Sequence, residues 1–176
     1  MKIAVVGGTG VLGTALVARL ASAGDEVLVL SRGGGDLPAG ASHRHIDLTT
    51  GEGLDGALAG VEVVFDASNS SPRNAGPVLV EGTGRLLRAG AAAGVRHYVG
   101  VSIVGCDRVP TAYYKVKVEQ EKTIAAGKIP WSLLRATQFH TLIAWAFGQA
   151  GRFGVVPTGR ARLQPVATTV VAERMI

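Results

Sequence analysis

The first thirteen residues constrain the fold of this chain more than any other stretch. Lys2–Val6 is a short apolar run rich in β-branched residues, which predicts a buried strand. Gly7, Gly10 and Gly13 follow, and residues 11–20 then show the apolar spacing of a helix. A strand, a glycine turn and a helix in this order form the context in which a glycine motif binds the pyrophosphate of a dinucleotide.

Each glycine has its own predicted role. Gly7 permits the tight turn, Gly10 lets a pyrophosphate approach the backbone, and Gly13 allows the helix to pack closely on the strand. The free N–H groups and the positive dipole end of the helix would face the phosphates. The spacing G-x-x-G-x-x-G, which differs from G-x-G-x-x-G, points to one branch of the Rossmann-type proteins. A plain connecting turn without a ligand is the alternative.

The rest of the chain alternates strands and helices, which predicts a Rossmann-type, doubly wound α/β fold with a mostly parallel sheet and helices on both faces. With 176 residues, we expect one domain, 1–176. The predicted strands are Lys2–Val6, 26–30, 43–46, 61–66, 96–102 and Trp131–Ala136. The predicted helices are 11–20, 51–60, 77–94, 111–126, 137–148 and a last one beginning near 169.

Composition excludes several classes of protein. Apolar residues make up 47% of the chain and charged residues 18%, which is typical of a folded globular protein. The net charge of +5 is scattered and forms no basic stripe, so we expect no nucleic-acid partner. The single cysteine, Cys106, fits a reducing compartment, and no signal peptide or membrane span is indicated. We therefore expect a soluble, cytoplasmic protein without a metal site.

The end of the second predicted strand indicates which dinucleotide binds. An acidic residue there would bind the ribose 2′-hydroxyl of NAD, whereas an arginine accommodates the 2′-phosphate of NADP. Here Ser31-Arg32 ends the strand, so the sequence favours NADP, although Arg32 could also be a solvated loop residue. Asp47 follows the third strand and could meet the adenine edge or act only as a turn residue. Ala67 and Ser68 follow the fourth strand and could pack along the adenosine.

A second informative stretch contains Tyr113 and Lys117, four residues apart on one face of a predicted helix. A cationic lysine beside a tyrosine, with an oxidised nicotinamide nearby, favours the phenolate and lowers the tyrosine pKa, as acid–base catalysis needs. Tyr114 is a rival without a lysine at the same spacing. Ser102, at the end of the fifth strand, could orient a substrate oxygen or serve the turn. Cys106 is interpreted as an incidental cysteine because no histidine is close in sequence.

Together these residues resemble the short-chain dehydrogenase/reductase superfamily, specifically its atypical, NmrA-like NAD(P)H-binding branch. The matching segments are GGTGVLG at 7–13, Ser31-Arg32, VSIVGCDRVP at 101–110, YYKVKVEQE at 113–121 and IPWSLLRATQF at 129–139. The resemblance implies catalytic roles for Tyr113, Lys117 and Ser102, and a substrate pocket bordered by Gln138 and Phe139. The cofactor residues predicted from motif and resemblance together are Gly7, Thr9, Gly10, Val11, Leu12, Gly13, Ser31, Arg32, Asp47, Leu48, Ala67, Ser68 and Lys117.

Three departures from the family pattern matter. Ile103 stands where many relatives carry a second serine or threonine, so the Ser102 hydroxyl could be one residue out of register and on the wrong side of its strand. Ala136-Thr137 stands where family members often have a proline after the sixth strand. The resemblance also implies a longer substrate-binding lobe than 137–176, so we expect this lobe to be truncated, disordered, absent or supplied by a partner chain.

The sequence thus predicts an NADP(H)-dependent oxidoreductase that passes hydride between the nicotinamide and a small carbonyl, enone or quinone-like substrate. Tyr113 would act as acid–base, assisted by Lys117. A non-catalytic NADP(H) sensor is the alternative, and an epimerase or dehydratase using bound NAD is a third interpretation that Arg32 disfavours. A homo-oligomer is compatible with the sequence.

Overall fold

The structure is a computed structural model, and it describes residues 1–152, 154 and 163–176. Residues 153 and 155–162 of the predicted substrate lobe lie outside this description. The strands are β1 (Lys2–Val6), β2 (Glu26–Ser31), β3 (Ala41–His45), β4 (Val63–Asp66), β5 (His97–Ile103) and β6 (Trp131–Ala136). The helices are α1 (Val11–Ser22), α2 (Thr83–Ala93), α3 (Ala112–Ala125), α4 (His140–Gly151) and α5 (Thr168–Met175). A 3-10 turn (Pro72–Asn74) and a π-helical segment (Gly76–Gly82) precede α2.

The six strands form one parallel sheet in the order β3-β2-β1-β4-β5-β6, which confirms the predicted doubly wound fold. From β1 the chain adds β2 and β3 on one side of the sheet. It then returns and adds β4, β5 and β6 on the other side of β1. The reversal leaves a crevice at the carboxyl ends of β1 and β4, where folds of this kind bind their ligands.

Both faces of the sheet are covered, and β1 shows why its sequence is apolar throughout. Ala4 and Val6 pack into the core under α2 and α3, whereas Ile3 and Val5 pack into the core under α1 and α5. A strand buried on both faces needs apolar side chains at every position, so it lacks the alternation of a half-exposed strand.

The helix predicted over residues 51–60 does not form. This stretch is a series of turns in which Gly51, Gly53, Gly56 and Gly60 have φ between 71° and 89°. These values lie in the left-handed region, which a right-handed helix cannot contain. The apolar spacing that suggested a helix, Leu54 and Leu58, instead fills the core from successive turns.

The helix predicted over residues 77–94 has two parts, because its first turns are wound as the π-helical segment before α2 begins. Gly82, at the junction, lies against the connection after β3: a Cβ at this position would stand 2.8 Å from Leu48 Cβ.

The helix predicted over 137–148 begins only at His140, because Phe139 pairs with Val166 in a parallel bridge. In the described ranges, no helix is both long and apolar enough to cross a bilayer.

Candidate functional site

The glycine turn between β1 and α1 has the geometry that the sequence predicted. Gly7 adopts φ +70°, and its N–H donates to the Leu30 carbonyl oxygen at 2.8 Å. A Cβ at Gly13 would stand 2.1 Å from the Gly7 carbonyl oxygen, which is far inside van der Waals contact with backbone. The turn and the first helical residues are therefore held together by an approach that only glycine permits.

We expect Gly13→Ala to lower the free energy of unfolding by about 1–3 kcal/mol, because the added methyl group must displace the backbone of Gly7. The measurement is urea unfolding followed by circular dichroism. Gly84→Ala is the matched control, since a Cβ there meets only side-chain atoms of Arg88 and Thr123 at 3.4 Å and 3.7 Å. This control should be neutral or stabilising by up to about 1 kcal/mol, as expected for alanine in a helix. Equal stability of the two variants would contradict the steric assignment.

The N-terminus of α1 is open toward the crevice. Gly10 is the N-cap, and in the described residues no side chain caps the helix and no acidic residue lies in its first turn. The first hydrogen bond of the helix backbone is donated by the Thr14 N–H to the carbonyl oxygen of Gly10, the N-cap residue, at 2.8 Å. The N–H groups of Val11, Leu12 and Gly13 precede that bond, so they are suited to bind an anionic group.

A cavity of about 470 Å³ opens at the carboxyl ends of β2, β3 and β4. Its lining combines one exposed cation with a polar segment that follows β4. The lining residues are Arg32, Thr49, Asn69, Ser70, Ser71, Asn74 and Val78. This is the edge of the sheet where a parallel α/β fold places its ligand.

Hydrogen bonds from Ser31 and from His45 of the edge strand hold the backbone at the end of β2. The Ser31 hydroxyl donates to the Gly33 carbonyl oxygen at 2.6 Å, and the Nδ1 of His45 lies 2.9 Å from the Arg32 carbonyl oxygen. These bonds fix the backbone of Arg32 while its side chain remains exposed. A methyl group on Gly35 would lie 3.9 Å from Thr9, so the glycine-rich loop after β2 folds back toward the glycine turn.

Asp47 and Leu48 serve the connection after β3. The backbone N–H of Thr49 donates to Asp47 Oδ1 at 2.7 Å and is the main reason why the pKa of this carboxyl is lowered, with smaller contributions from the charges of Arg32 and His45. Leu48 is buried in the core under α2. The turn role of Asp47 is therefore seen directly, whereas contact of either residue with an adenine stays a prediction.

Ala67 and Ser68 lie directly against the glycine turn. A Cβ on Gly7 would stand 2.9 Å from both the Ala67 carbonyl oxygen and Ser68 Cα. Ser68 Oγ is buried and finds no hydrogen-bond partner in the described residues, which is costly for a hydroxyl. The open helix terminus and the glycine turn are of the kind that binds a dinucleotide phosphate, and the place of that phosphate on the backbone of residues 10–13, with Arg32 across the crevice, stays a prediction.

Tyr113 faces the polar segment after β4. Its hydroxyl donates to Asn69 Oδ1 at 2.6 Å. Burial raises the pKa of Tyr113, and the neighbouring Tyr114 adds to the shift. In the protein alone burial dominates this pKa, and the lysine ammonium is bound to other acceptors, whereas the lowering expected with an oxidised nicotinamide nearby stays a prediction.

Lys117 is only 4% exposed, although it shares a helix face with Tyr113. Its Nζ donates to the Val101 carbonyl oxygen at 2.9 Å and to Gln120 Oε1 at 2.5 Å. Burial lowers the pKa of Lys117, while the negative charge of Asp66 opposes the shift. The ammonium is thus held by protein acceptors on the inner side of α3.

Ser102 points into the interior between β5 and α3, where its hydroxyl lies 3.8 Å from Cys106 Sγ. The thiol donates to Glu121 at 3.5 Å, and Arg135 donates to both oxygens of the same carboxylate at 2.9 Å and 2.6 Å. Although burial opposes it, hydrogen bonds from Arg135, Ser102 and Cys106 hold the pKa of Glu121 below its usual value. The substrate-orienting role of Ser102 stays a prediction.

Gln138 and Phe139 connect β6 to α4. The Gln138 carbonyl oxygen accepts from the Val166 N–H at 2.9 Å, and Phe139 packs against the core under α1 and α5. Both residues are half-buried. Their backbone therefore anchors the segment before α5, and their place beside a nicotinamide or substrate stays a prediction.

Sequence reasoning missed the hydrogen-bond partners of Tyr113 and Lys117. Asn69 accepts from Tyr113, Gln120 accepts from Lys117, and Asp66 supplies a carboxylate whose charge acts on the lysine. Asn69 and Asp66 stand at the end of a predicted strand, which is a usable signal for a site. Gln120 carried no such signal, because an amide on a helix is ordinarily a surface residue.

Comparison with known proteins shows which family this chain resembles. A family model described as NAD(P)H-binding matches residues 7–171. The chain is 28% identical to the (4-alkanoyl-5-oxo-2,5-dihydrofuran-3-yl)methyl phosphate reductase of Streptomyces griseus, over 97% of this chain and 62% of the reductase. It therefore spans less than two thirds of the length of that relative.

Solved structures show the same fold. The NADPH-dependent quinone oxidoreductase QOR2 of Escherichia coli, complexed with NADPH, has a TM-score of 0.78 at 24% identity, over 97% of this chain and 62% of that one. The Bordetella bronchiseptica enzyme WbmH, in complex with NAD+, has a TM-score of 0.84 at 14% identity, over 98% and 70%. With the family match over nearly the whole chain, the protein belongs to the NAD(P)H-binding family, in the NmrA-like branch of the atypical short-chain dehydrogenases/reductases.

Proposed function

We propose that this protein is an NADP(H)-dependent oxidoreductase that transfers hydride between the nicotinamide and a small carbonyl, enone or quinone-like substrate. One observation carries the proposal. Asn69 lines the same cavity as Arg32, and it accepts the hydrogen bond of Tyr113. A cation suited to the adenosine end of the cofactor therefore lines this cavity, and an acid suited to the reacting end is hydrogen-bonded to a second lining residue.

Arg32 is the basis for preferring NADP. The structural relatives include one with NADPH and one with NAD+, so the fold alone leaves the choice open. The exposed Arg32 guanidinium can bind a 2′-phosphate through two parallel N–H groups. Ser31 at the strand end is uncharged, so no carboxylate stands in the position that would favour NAD.

Tyr113 is the proposed proton donor for reduction. A bound NADPH would supply the hydride to the substrate carbon. A tyrosine hydroxyl is protonated at neutral pH, and burial raises the pKa of Tyr113 further, so this hydroxyl has a proton to give to the substrate oxygen. For that transfer the hydroxyl must turn from Asn69 to the substrate, and the Asn69 amide is placed to receive the phenol again afterwards.

The names of two relatives support the substrate class. The dihydrofuranone named for the Streptomyces reductase and the quinone named for the Escherichia coli oxidoreductase are both conjugated carbonyl compounds. An acceptor of that type needs one hydride and one proton, which matches a single acid beside a nicotinamide. We therefore place enones and quinones ahead of simple aldehydes among the substrates to be tested.

A non-catalytic NADP(H) sensor is the second candidate. It is favoured by Ser102, whose hydroxyl lies against Cys106 in the interior, and by Lys117, whose ammonium is bound by protein acceptors. Such a protein would keep the glycine turn and Arg32 but would need no proton donor for a substrate.

The test is a titration of the protein with NADPH and NADH, followed by NADPH oxidation against a panel of quinones, enones and aldehydes. We expect NADPH to bind more tightly than NADH and at least one conjugated acceptor to be reduced. Binding without turnover across the panel would favour the sensor. Failure to bind either dinucleotide would refute both candidates.

A further inference from the structure

A chain of buried polar side chains crosses the core between β4 and α3. Its five members, none more than 4% exposed, are Asp66, Thr83, Tyr98, Lys117 and Gln120. Lys117 Nζ donates to Gln120 Oε1 at 2.5 Å, and Gln120 Nε2 donates to Thr83 Oγ1 at 3.1 Å. A second hydrogen-bonded pair lies beside these three residues: the Tyr98 hydroxyl donates to Asp66 Oδ2 at 2.5 Å, and the charge of Asp66 acts on Lys117.

The two ends of this chain determine the direction of every bond within it. An ammonium can only donate and a carboxylate can only accept. Gln120 must therefore present its oxygen to Lys117, which leaves its amide N–H groups to donate to Thr83. At the other end, the phenol hydrogen of Tyr98 goes to the Asp66 carboxylate. From Lys117 through Gln120 to Thr83 the donors all point the same way, an arrangement in which each bond polarises the next.

We propose that Gln120 is a positioning residue for Lys117: bound in turn to Thr83, its side-chain oxygen accepts from the buried ammonium, and so keeps the ammonium charged and directed toward the end of β5. A buried charge without acceptors is unstable in a protein interior. Among the described residues, Val101 and Gln120 take two of the three ammonium N–H groups, which leaves one for a ligand.

The chain also ties both members of the catalytic pair to the end of β4. Asp66 Oδ1 accepts from the Ser68 N–H at 2.9 Å, and thereby fixes the backbone that leads into Asn69. Asn69 accepts the hydrogen bond of Tyr113, while the negative charge of Asp66 acts on Lys117. The end of β4 therefore contributes to the surroundings of both the phenol and the ammonium.

The charge state of Lys117 depends on the groups that face it from each neighbouring element. Asp66 from β4, Cys106 from the loop after β5 and Glu121 from α3 raise its pKa, against the dominant effect of burial. The start of α2 contributes only the uncharged Thr83 to the chain. A single substitution at Gln120 therefore changes a hydrogen-bond acceptor of the ammonium and leaves these charged groups intact.

The experiment follows the titration of Lys117 by NMR in protein labelled at lysine Cε, with the signal assigned by its loss in Lys117→Met. Gln120→Met removes the acceptor at nearly constant volume and should move the titration midpoint of Lys117 down by about one pH unit, whereas Gln120→Glu supplies an anion and should move it up by about as much. Gln149→Glu, which adds the same charge at an exposed position of α4, should leave the midpoint where it is.

Opposite shifts in the two Gln120 variants support the proposal, because a purely structural residue would lower stability in both without moving the midpoint in two directions. Midpoints equal to wild type, or shifted the same way in both, overturn it. If Gln120→Met does not fold, the comparison of Gln120→Glu with Gln149→Glu decides. The role of the ammonium in turnover rests on the proposed function, but this titration needs no activity, so the two hypotheses can fail separately.

Discussion

The Tyr113→Phe variant should bind NADPH with an unchanged Kd and lose turnover by about 10²–10⁴-fold, the usual contribution of a positioned acid. In the proposed reaction this phenol is the proton donor, and it donates at 2.6 Å to Asn69, a residue that lines the cavity. Phenylalanine keeps the ring in the same space and removes only the hydroxyl. Fluorescence titration of NADPH and steady-state oxidation with a quinone acceptor separate binding from chemistry.

Tyr114→Phe is the matched control, because Tyr114 is the adjacent residue on α3 and has Val118 where Tyr113 has Lys117. Turnover should stay within about twofold of wild type in this variant, as for a substitution away from the reacting groups. Loss of the bond to Asn69 should cost Tyr113→Phe about 1 kcal/mol of stability, which thermal unfolding would register. If Tyr113→Phe turns over as fast as wild type, the proton comes from another group.

The parallel sheet could be predicted from the sequence because its central strands leave a direct signature. Lys2–Val6 was predicted with the bounds that the structure has, since a strand between two helical layers must be apolar along most of its length. The bounds of Trp131–Ala136 also agree, although this is an edge strand that is largely exposed. The turns of residues 51–60 could not be predicted in this way. Leu54 and Leu58 have helical spacing, and only the backbone conformation shows that the glycines between them are left-handed.

For Tyr113 and Lys117, the shared helix face was predictable from the sequence, but the direction of each side chain was not. The spacing of Tyr113 and Lys117 correctly places both on one side of α3, as any pair four residues apart must be. Whether a long side chain then points outward or inward depends on acceptors from distant parts of the chain. Lys117 turns inward because Gln120 and the Val101 carbonyl oxygen receive its N–H groups, and neither contact leaves a periodic signal.

Arg32→Glu should reverse the cofactor preference. The substitution removes a guanidinium that can grip a 2′-phosphate and puts in its place a carboxylate that repels the phosphate and can accept from the 2′-hydroxyl of NADH. Hydrogen bonds to charged groups contribute about 1.5–3 kcal/mol, so NADPH affinity should fall about 100-fold while NADH affinity holds or rises. Titration of both cofactors at low and at raised ionic strength measures the effect, and salt should weaken it because Arg32 is exposed.

Arg73→Glu makes the same change of charge beside Asn74, one of the residues that line the cavity, but leaves the end of β2 intact. If the preference comes from the general positive charge around the crevice, the two variants should lose NADPH affinity alike. If it comes from a bidentate contact at the end of β2, only Arg32→Glu should change the ratio of the two affinities. Because Ser31 and His45 fix the Arg32 backbone at the strand end, whereas Arg73 lies in a surface turn, we expect the second outcome.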